Sequence, residues 1–95
     1  MEVEKKSLVP VSENGLKTSP NPLNPATTIE YCLPGRGKGT LSVFNIDGRR
    51  VMEQVVSGTG KFLWNAKGLP EGVYFCRLTG AGKTYTQKLI YTRLE

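Results

Sequence analysis

Hydrophobic and polar residues alternate along most of the chain with a period of two, which is typical of half-buried β-strands. The stretch TTIEYCL places Ile29, Tyr31 and Leu33 on one face and Cys32 on the other. Similar patterns occur in the stretches TLSVFNI, RRVMEQVV, KFLWN, VYFCRLT and KTYTQKLIYT. No stretch shows the apolar spacing of an amphipathic helix. The pattern therefore predicts an all-β protein, with Leu41 and Val43 on one face of their strand and Phe44 on the other.

Turn signals separate these predicted strands. Asp47 and Gly48 lie between TLSVFNI and RRVMEQVV, and this pair predicts a two-residue type I′ hairpin turn in which both residues have positive φ. Glycine-rich stretches mark the other turns: GRGKG, SGTG and GAG. Short strands at spacings of about 8–12 residues predict an immunoglobulin-like antiparallel β-sandwich of about seven strands.

The stretch LPEGVYFC has the layout of a tyrosine corner, in which a tyrosine hydroxyl bonds back to the backbone. Tyr74 opens a strand after the turn that contains Gly72, and strand parity places Cys76 on the same core face. Cys32 has the opposite parity to the apolar residues of its own strand. Because side chains one position apart point to opposite faces, we predict that Cys32 and Cys76 are unpaired thiols.

The stretch SPNPLNP, from Ser19 to Pro25, contains three prolines in seven residues. Proline fixes φ and has no backbone donor, so this stretch predicts a rigid, extended lead-in to the sandwich, or a turn that starts its first strand. We expect residues 1–17 to be a linker or weakly ordered lead-in, in which LVPV is a candidate edge strand, and residues 18–93 to form the sandwich. We interpret Met1 as an added start and residues 94–95 as a vector-derived remnant.

Composition and charge exclude several classes of protein. The chain has 95 residues, enough for one domain, and no apolar run approaches the roughly 18 residues of a membrane-spanning helix. The N-terminus lacks the apolar core of a signal peptide. The net charge of +5 favours anionic partners, but the basic residues are scattered and not interleaved with aromatic residues. This distribution favours solvated surface charges over binding to nucleic acid.

The sequence offers little chemistry for catalysis. It has no histidine, Asp47 is the only aspartate, and the glutamates are dispersed. The two cysteines lack the spacing of a zinc site, and GRGKGT is not followed by the helix that a phosphate loop needs. Trp64 has the parity of a core residue more than that of a sugar-binding platform. We therefore expect no enzymatic activity, no cofactor and no metal.

Four stretches in order, SPNPLNPATTIEYCLP, LSVFNIDGRRV, WNAKGLPEGVYFCRL and TQKLIYTR, resemble the C-terminal sorting domain of proteins exported by the type IX (Por) secretion system. The resemblance covers residues 18–93 and implies an immunoglobulin-like sandwich. The residues that match the motifs of this family are Pro20, Asn21, Pro22, Gly48, Leu69, Gly72, Tyr74 and Lys88. Cys32 and Cys76 depart from the family, in which small polar or aromatic residues are commoner at these positions.

The resemblance implies an export signal at the C-terminus of a cargo protein that carries its own Sec signal peptide. The translocon at the outer membrane would recognise the domain, and a sortase-like peptidase would remove it. The cargo would pass through the periplasm and be attached to surface lipopolysaccharide or released. The proline stretch would hold a protease-accessible linker apart from the sandwich, and the last strand, KLIYTR, would offer an exposed edge to a partner through Lys88 and Arg93.

Two other functions are compatible with the pattern. The immunoglobulin-like domain of the flagellar hook-capping protein shares the T-x-I-x-Y-x-L-P stretch and the hairpin glycine, and it would act as a structural assembly module. A carbohydrate-binding β-sandwich appended to a glycosidase would use an exposed row of aromatic side chains. The gene encoding the parent protein distinguishes these alternatives.

Overall fold

The computed structural model describes residues 15–35 and 37–93, which form seven β-strands in two antiparallel sheets. The strands are β1 (Leu16–Ser19), β2 (Ala26–Cys32), β3 (Lys38–Asn45), β4 (Arg50–Ser57), β5 (Thr59–Asn65), β6 (Gly72–Gly80) and β7 (Lys83–Tyr91). One sheet has the order β1-β2-β5 and the other the order β4-β3-β6-β7. The predicted seven-stranded antiparallel sandwich is confirmed. In this part of the chain, no helix is long and apolar enough to cross a membrane.

Some sequence-based expectations concern residues outside the described part of the chain. These are the added start at Met1, the candidate strand LVPV, Arg36 in the GRGKG loop, and the terminal pair 94–95. At the expected boundary between the lead-in and the sandwich, β1 already begins at Leu16, whose side chain is buried. The described fold therefore starts slightly before the boundary expected at residue 18.

The core lies between the two sheets and follows the predicted parity. Ile29 of β2 and Leu41 and Val43 of β3 are fully buried, and Trp64 of β5 is nearly so. The buried apolar set is Leu16, Leu23, Ile29, Leu33, Leu41, Val43, Val56, Trp64, Ala66, Tyr74, Cys76, Leu78, Leu89 and Tyr91. Burial of one such aliphatic side chain stabilises the fold by about 1.5–3 kcal/mol, so this set supplies most of the driving force for folding.

The outer face of the four-stranded sheet carries the alternate residues. Phe44 lies on this face, as predicted, whereas Leu41 and Val43 of the same strand point into the core. Phe44 pairs in register with Phe75 of β6. The guanidinium carbon of Arg77 lies 4.5 Å from the centroid of the Phe44 ring, a cation–π contact. The same face therefore combines partly exposed aromatic rings with a positive charge.

The hairpin between β3 and β4 forms where predicted, but its turn type differs from the expectation. Gly48 has φ of +85°, whereas Asp47 does not have a positive φ, so the predicted type I′ turn is wrong. The Gly48 N–H donates to Asn45 O and the Asn45 N–H donates to Arg49 O, as in a three-residue turn closed by a glycine bulge. The Asn45 side chain favours this turn because its Oδ1 accepts from the N–H groups of Asp47 and Arg49.

The two cysteines are free, as their parity predicts. Cys76 is fully buried in the core, and burial raises the pKa of its thiol to about 12. Cys32 lies on the outer face of the three-stranded sheet, where its sulfur accepts a hydrogen bond from the Thr59 hydroxyl at 3.3 Å. One thiol is therefore partly accessible and the other is shielded and protonated.

We predict that a thiol reagent at pH 8 modifies Cys32 readily in the folded protein and Cys76 only after unfolding. Titration with a chromogenic disulfide should give one reactive thiol in native buffer and two in guanidinium chloride. Because the pKa of the folded Cys76 thiol is raised, its contribution to stability is constant below the ordinary pKa of about 8.5 and is lost as the pH rises toward 12. Rapid modification of both thiols in native buffer would contradict the burial of Cys76.

Candidate functional site

The proline stretch wraps around one end of the sandwich instead of standing apart from it. Residues 20–25 connect β1 to β2, and Leu23 forms a parallel bridge with Tyr91 at the end of β7. The β3–β4 turn and the corner between β5 and β6 lie at the same end, because Asn45 pairs with Tyr74 and Gly72 pairs with Tyr91. We call this end the motif end and define it by residues 20–25, 46–49, 66–74 and 88–92.

The side chain of Asn21 takes the place of a strand residue beside β7. Its Nδ2 donates to Lys88 O at 2.8 Å, and its Oδ1 accepts from the Ile90 N–H at 3.0 Å. Pro20 and Pro22, on either side, have no N–H to donate. The carboxamide carries both a donor and an acceptor, so it can replace the backbone groups that a strand would supply.

Leu23 continues this pairing with its own backbone. Its N–H donates to Ile90 O at 2.8 Å, and its carbonyl oxygen accepts from the Thr92 N–H at 3.1 Å. The Leu23 side chain is fully buried in the core. The residue therefore anchors the proline stretch by hydrogen bonds and by burial at the same point.

Two further hydrogen bonds attach the ends of the stretch. The Thr27 hydroxyl of β2 donates to Pro20 O at 2.8 Å. At the other end, the Ala66 N–H donates to Pro25 O, also at 2.8 Å. The stretch is thus bonded to β2, to β7 and to the corner after β5. The hypothesis that it spaces an upstream linker away from the sandwich is therefore wrong, because the stretch is an integral part of the fold.

The same contacts correct the expectation for the last strand. The edge of β7 from Lys88 to Thr92 was expected to be open to a partner strand, but Asn21 and Leu23 already bond to its backbone. The side chains of Lys88 and Ile90 remain exposed there. Lys88 can therefore contact a partner through its charge, whereas its carbonyl oxygen is already bonded within the domain.

The corner before β6 is the predicted tyrosine corner. The Tyr74 hydroxyl donates a hydrogen bond to Pro70 O, and the Tyr74 ring is buried. It packs edge-on against Trp64, with ring centroids 5.6 Å apart. Burial and the neighbouring Tyr91 phenol both raise the pKa of Tyr74. The tyrosine therefore stays neutral and holds the corner against the core.

Two motif glycines are required by their backbone conformation. Gly48 has φ of +85° and Gly72 has φ of +147°, values that L-residues with a side chain rarely adopt. A Cβ at either position would meet no atom of the described residues within 4 Å, so space is not the constraint. Leu69 is half-buried, and its N–H closes the corner by donating to Ala66 O at 2.9 Å.

A shallow apolar groove separates the β3–β4 turn from the corner. Ile46 forms one rim and is 66% exposed, and Leu69 and Pro70 form the other. Arg49 adds one positive charge to the lining, and Asp47 and Glu71 add two negative charges. The Glu71 carboxylate also accepts from the Arg93 N–H at 3.1 Å, which fixes the chain after β7. The groove thus offers apolar and charged contacts that suit a polypeptide partner.

All the predicted motif residues lie at the motif end. These are Pro20, Asn21, Pro22, Gly48, Leu69, Gly72, Tyr74 and Lys88. Asn21 and Lys88 are bonded directly, whereas the turn of Gly48 faces the corner across the groove. Their role in recognition stays a prediction. Among residues 15–35 and 37–93, no group of three or more His, Cys, Asp or Glu residues is placed to hold a metal ion.

Sequence reasoning missed three residues that shape this end: Leu23, Asn45 and Glu71. Leu23 is the only apolar side chain between the prolines, which was a signal for an anchor. Asn45 lies three residues before Gly48, a spacing that fits an asparagine-capped turn. Nothing in the local sequence indicates the contact of Glu71 with the backbone of Arg93.

Comparison with known proteins assigns this arrangement to a family. A family model described as "Secretion system C-terminal sorting domain" matches residues 17–92, which is most of the chain. A search of the curated proteins finds no match. The matched range begins within β1 and ends just after β7, so it covers the sandwich except for Leu16, the first residue of β1.

The tyrosine corner yields a pair of matched substitutions. Tyr74→Ala should lower the free energy of unfolding by about 3–5 kcal/mol, because it removes a buried ring that packs on Trp64. Tyr74→Phe keeps the ring and loses only the hydrogen bond to Pro70 O, which should cost about 0.5–1.5 kcal/mol. Urea melts of the two variants measure the difference, and equal losses would show that the ring does not contribute to packing.

The attachment of the proline stretch depends on the carboxamide of Asn21. Asn21→Ala removes two hydrogen bonds to β7 and should lower the free energy of unfolding by about 1–3 kcal/mol. Asn24→Ala is a matched control, since Asn24 is exposed and its side chain has no hydrogen bond to the described residues. Its effect should stay within about 0.5 kcal/mol. Urea melts and amide exchange at Ile90 test the pair, and equal stability of both variants would refute the role of Asn21.

Proposed function

Because the chain belongs to the family of secretion system C-terminal sorting domains, we propose that the type IX export machinery recognises it at the motif end of the sandwich. The domain is a sorting signal of type IX secretion, and it directs the cargo protein that carries it to the cell surface or out of the cell. The observation that carries our proposal is the bond between Asn21 of the proline motif and Lys88 of the last strand.

The motif end has the properties of a prepared binding surface. Pro20, Asn21 and Pro22 are exposed, and they lie beside the exposed side chain of Lys88. Their backbone is held by proline rings and by the hydrogen bonds of Asn21 and Leu23, so little conformational entropy is left to lose on binding. A partner that binds this surface contacts residues from the beginning and from the end of the domain sequence at the same time. Such a surface is present only in the folded domain.

We further propose the steps that family membership suggests for this domain. The cargo protein reaches the periplasm, and the translocon in the outer membrane binds the domain. A sortase-like peptidase then removes it, and the cargo is attached to surface lipopolysaccharide or released. In this scheme the domain has no enzymatic activity of its own. The absence of histidine from the sequence and the burial of the Cys76 thiol support that part of the proposal.

No observation favours the two alternative functions. The candidate platform residue Trp64 is only 5% exposed and packs against Tyr74. On the outer face of the four-stranded sheet, the half-buried Phe44 ring is covered by the guanidinium of Arg77. The features shared with the hook-capping domain, namely the hairpin glycine and the first long strand, are general features of the fold. Family membership therefore decides in favour of the sorting signal.

The proposal predicts that this domain is sufficient for export. A fluorescent reporter with a Sec signal peptide at its N-terminus and residues 15–93 at its C-terminus should reach the medium or the cell surface in a host with type IX secretion. The same fusion should remain in the periplasm of a strain that lacks the translocon. Immunoblots of the cell fractions measure the distribution, and a periplasmic intact fusion in the competent host would refute the function.

Single substitutions then test the site within the domain. Lys88→Ala should reduce export and change the free energy of unfolding by less than about 0.5 kcal/mol, because its side chain is exposed and the Asn21 bond uses its backbone. Lys61→Ala, on the exposed face of β5, is the matched control and should be exported normally. Deletion from residue 88 onward is a weaker test, because it also removes the buried Leu89 and Tyr91. Normal export of Lys88→Ala would contradict recognition through Lys88 at the motif end.

A further inference from the structure

The outer edge of β7 is only half covered. The bonds from Asn21 and Leu23 reach Lys88 O, the N–H and carbonyl of Ile90, and the N–H of Thr92. The backbone N–H and C=O groups of the even-numbered residues of β7 therefore point away from β6. In an antiparallel strand, alternate residues direct their N–H and C=O groups to the same side. The backbone N–H and C=O groups of Thr84 and Thr86 therefore also point away from β6. In residues 15–35 and 37–93, no backbone group bonds to them on that side.

A cavity lies beside this open half, at the seam between β1 and β7. Its lining consists of Leu16, Thr84, Tyr85, Thr86 and Gln87. The Oε1 atom of Gln87 is buried and receives no hydrogen bond from the described residues. A buried carbonyl oxygen without a donor is unfavourable, and native proteins rarely leave one unless something else satisfies it. The seam thus combines unpaired strand groups with an acceptor that needs a donor.

We propose that the open half of β7, from Thr84 to Lys88, binds an extended strand of an acidic partner protein. The partner backbone would pair with the N–H and C=O groups of Thr84 and Thr86, which is the usual way in which a peptide adds to a sheet edge. A donor on the partner would satisfy Gln87 Oε1 in the cavity. The site adjoins the motif end at Lys88, whose carbonyl oxygen is bonded to Asn21, but the inference does not depend on the proposed recognition there.

The charges around the open edge select an acidic partner. Lys83 and Lys88 are exposed at its two ends. Neither β1 nor β7 contains an acidic residue. A second copy of this chain fits less well, because pairing two β7 strands would bring lysines of both copies together. Complementarity therefore favours carboxylates on the strand that binds.

The test uses the full chain labelled with ¹⁵N and a short synthetic peptide as the probe. An acetylated and amidated peptide of sequence ETVTVE should shift the amide resonances of Thr84, Thr86 and Lys88 in a saturable way at millimolar concentration. The same peptide N-methylated at alternate residues cannot pair and should cause no such shifts. A peptide with lysine in place of both glutamates should bind about 3–10-fold more weakly.

Variants of the edge separate binding from folding. Thr86→Pro removes the central N–H and should abolish binding, whereas Thr86→Val keeps that N–H and should bind normally. Gln87→Leu removes the unsatisfied oxygen, so it should raise the melting temperature by about 4–8 °C and weaken peptide binding about 2–10-fold. Opposite changes in stability and binding are not expected of a residue that has only a structural role.

Several results would overturn the proposal. These are shifts that miss residues 84–88, equal binding of the N-methylated peptide, and unchanged affinity in Gln87→Leu. Self-association through β7 that excludes the peptide would identify a second copy as the occupant and would also overturn it. If Thr86→Pro does not fold, Lys83→Glu serves in its place: it should weaken binding of ETVTVE and strengthen binding of the lysine peptide, and the absence of that reversal would count against an acidic partner.

Discussion

The attachment of the proline stretch to β7 is the constraint on which the rest of the structure depends. The stretch joins β1 to β2 in the three-stranded sheet, whereas β7 belongs to the four-stranded sheet. Its hydrogen bonds through Asn21 and Leu23 therefore connect the two layers at the motif end. Side-chain packing holds the layers together elsewhere, but packing alone is non-directional. The hydrogen bonds fix how the two sheets are aligned at this end.

Proline and asparagine have complementary roles in this attachment. The proline rings limit the backbone to few conformations but remove the donors that pairing with β7 needs. The carboxamide of Asn21 restores a donor and an acceptor, and Leu23 adds a backbone pair with a buried side chain. The proline stretch thereby covers one half of the edge strand β7, and a covered edge is protected against unwanted pairing with other chains. The other half, at Thr84 and Thr86, lacks this protection from the described residues.

Local sequence patterns predicted the parts of the fold that local physics determines. The strands, the inward faces of β2 and β6 and the tyrosine corner all follow from alternation and from a turn beside Tyr74. The turn at Asp47 was predicted wrongly, because the side chain of Asn45 stabilises a different turn. The role of the proline stretch could not be predicted, since Asn21 bonds to residues 67 and 69 positions later in the chain. The seam beside Gln87 likewise depends on how β1 and β7 approach each other from different sheets.

The long separation between Asn21 and its partners on β7 has a consequence for the timing of folding. Contacts between distant parts of a chain form late, because a long loop must close before they can stabilise anything. The motif end can therefore assemble only after Lys88 and Ile90 have been synthesised. A cargo chain that ended prematurely, before β7, would lack both this attachment and the buried Leu89. If the motif end is recognised as proposed, recognition would therefore require a chain that has been translated through β7.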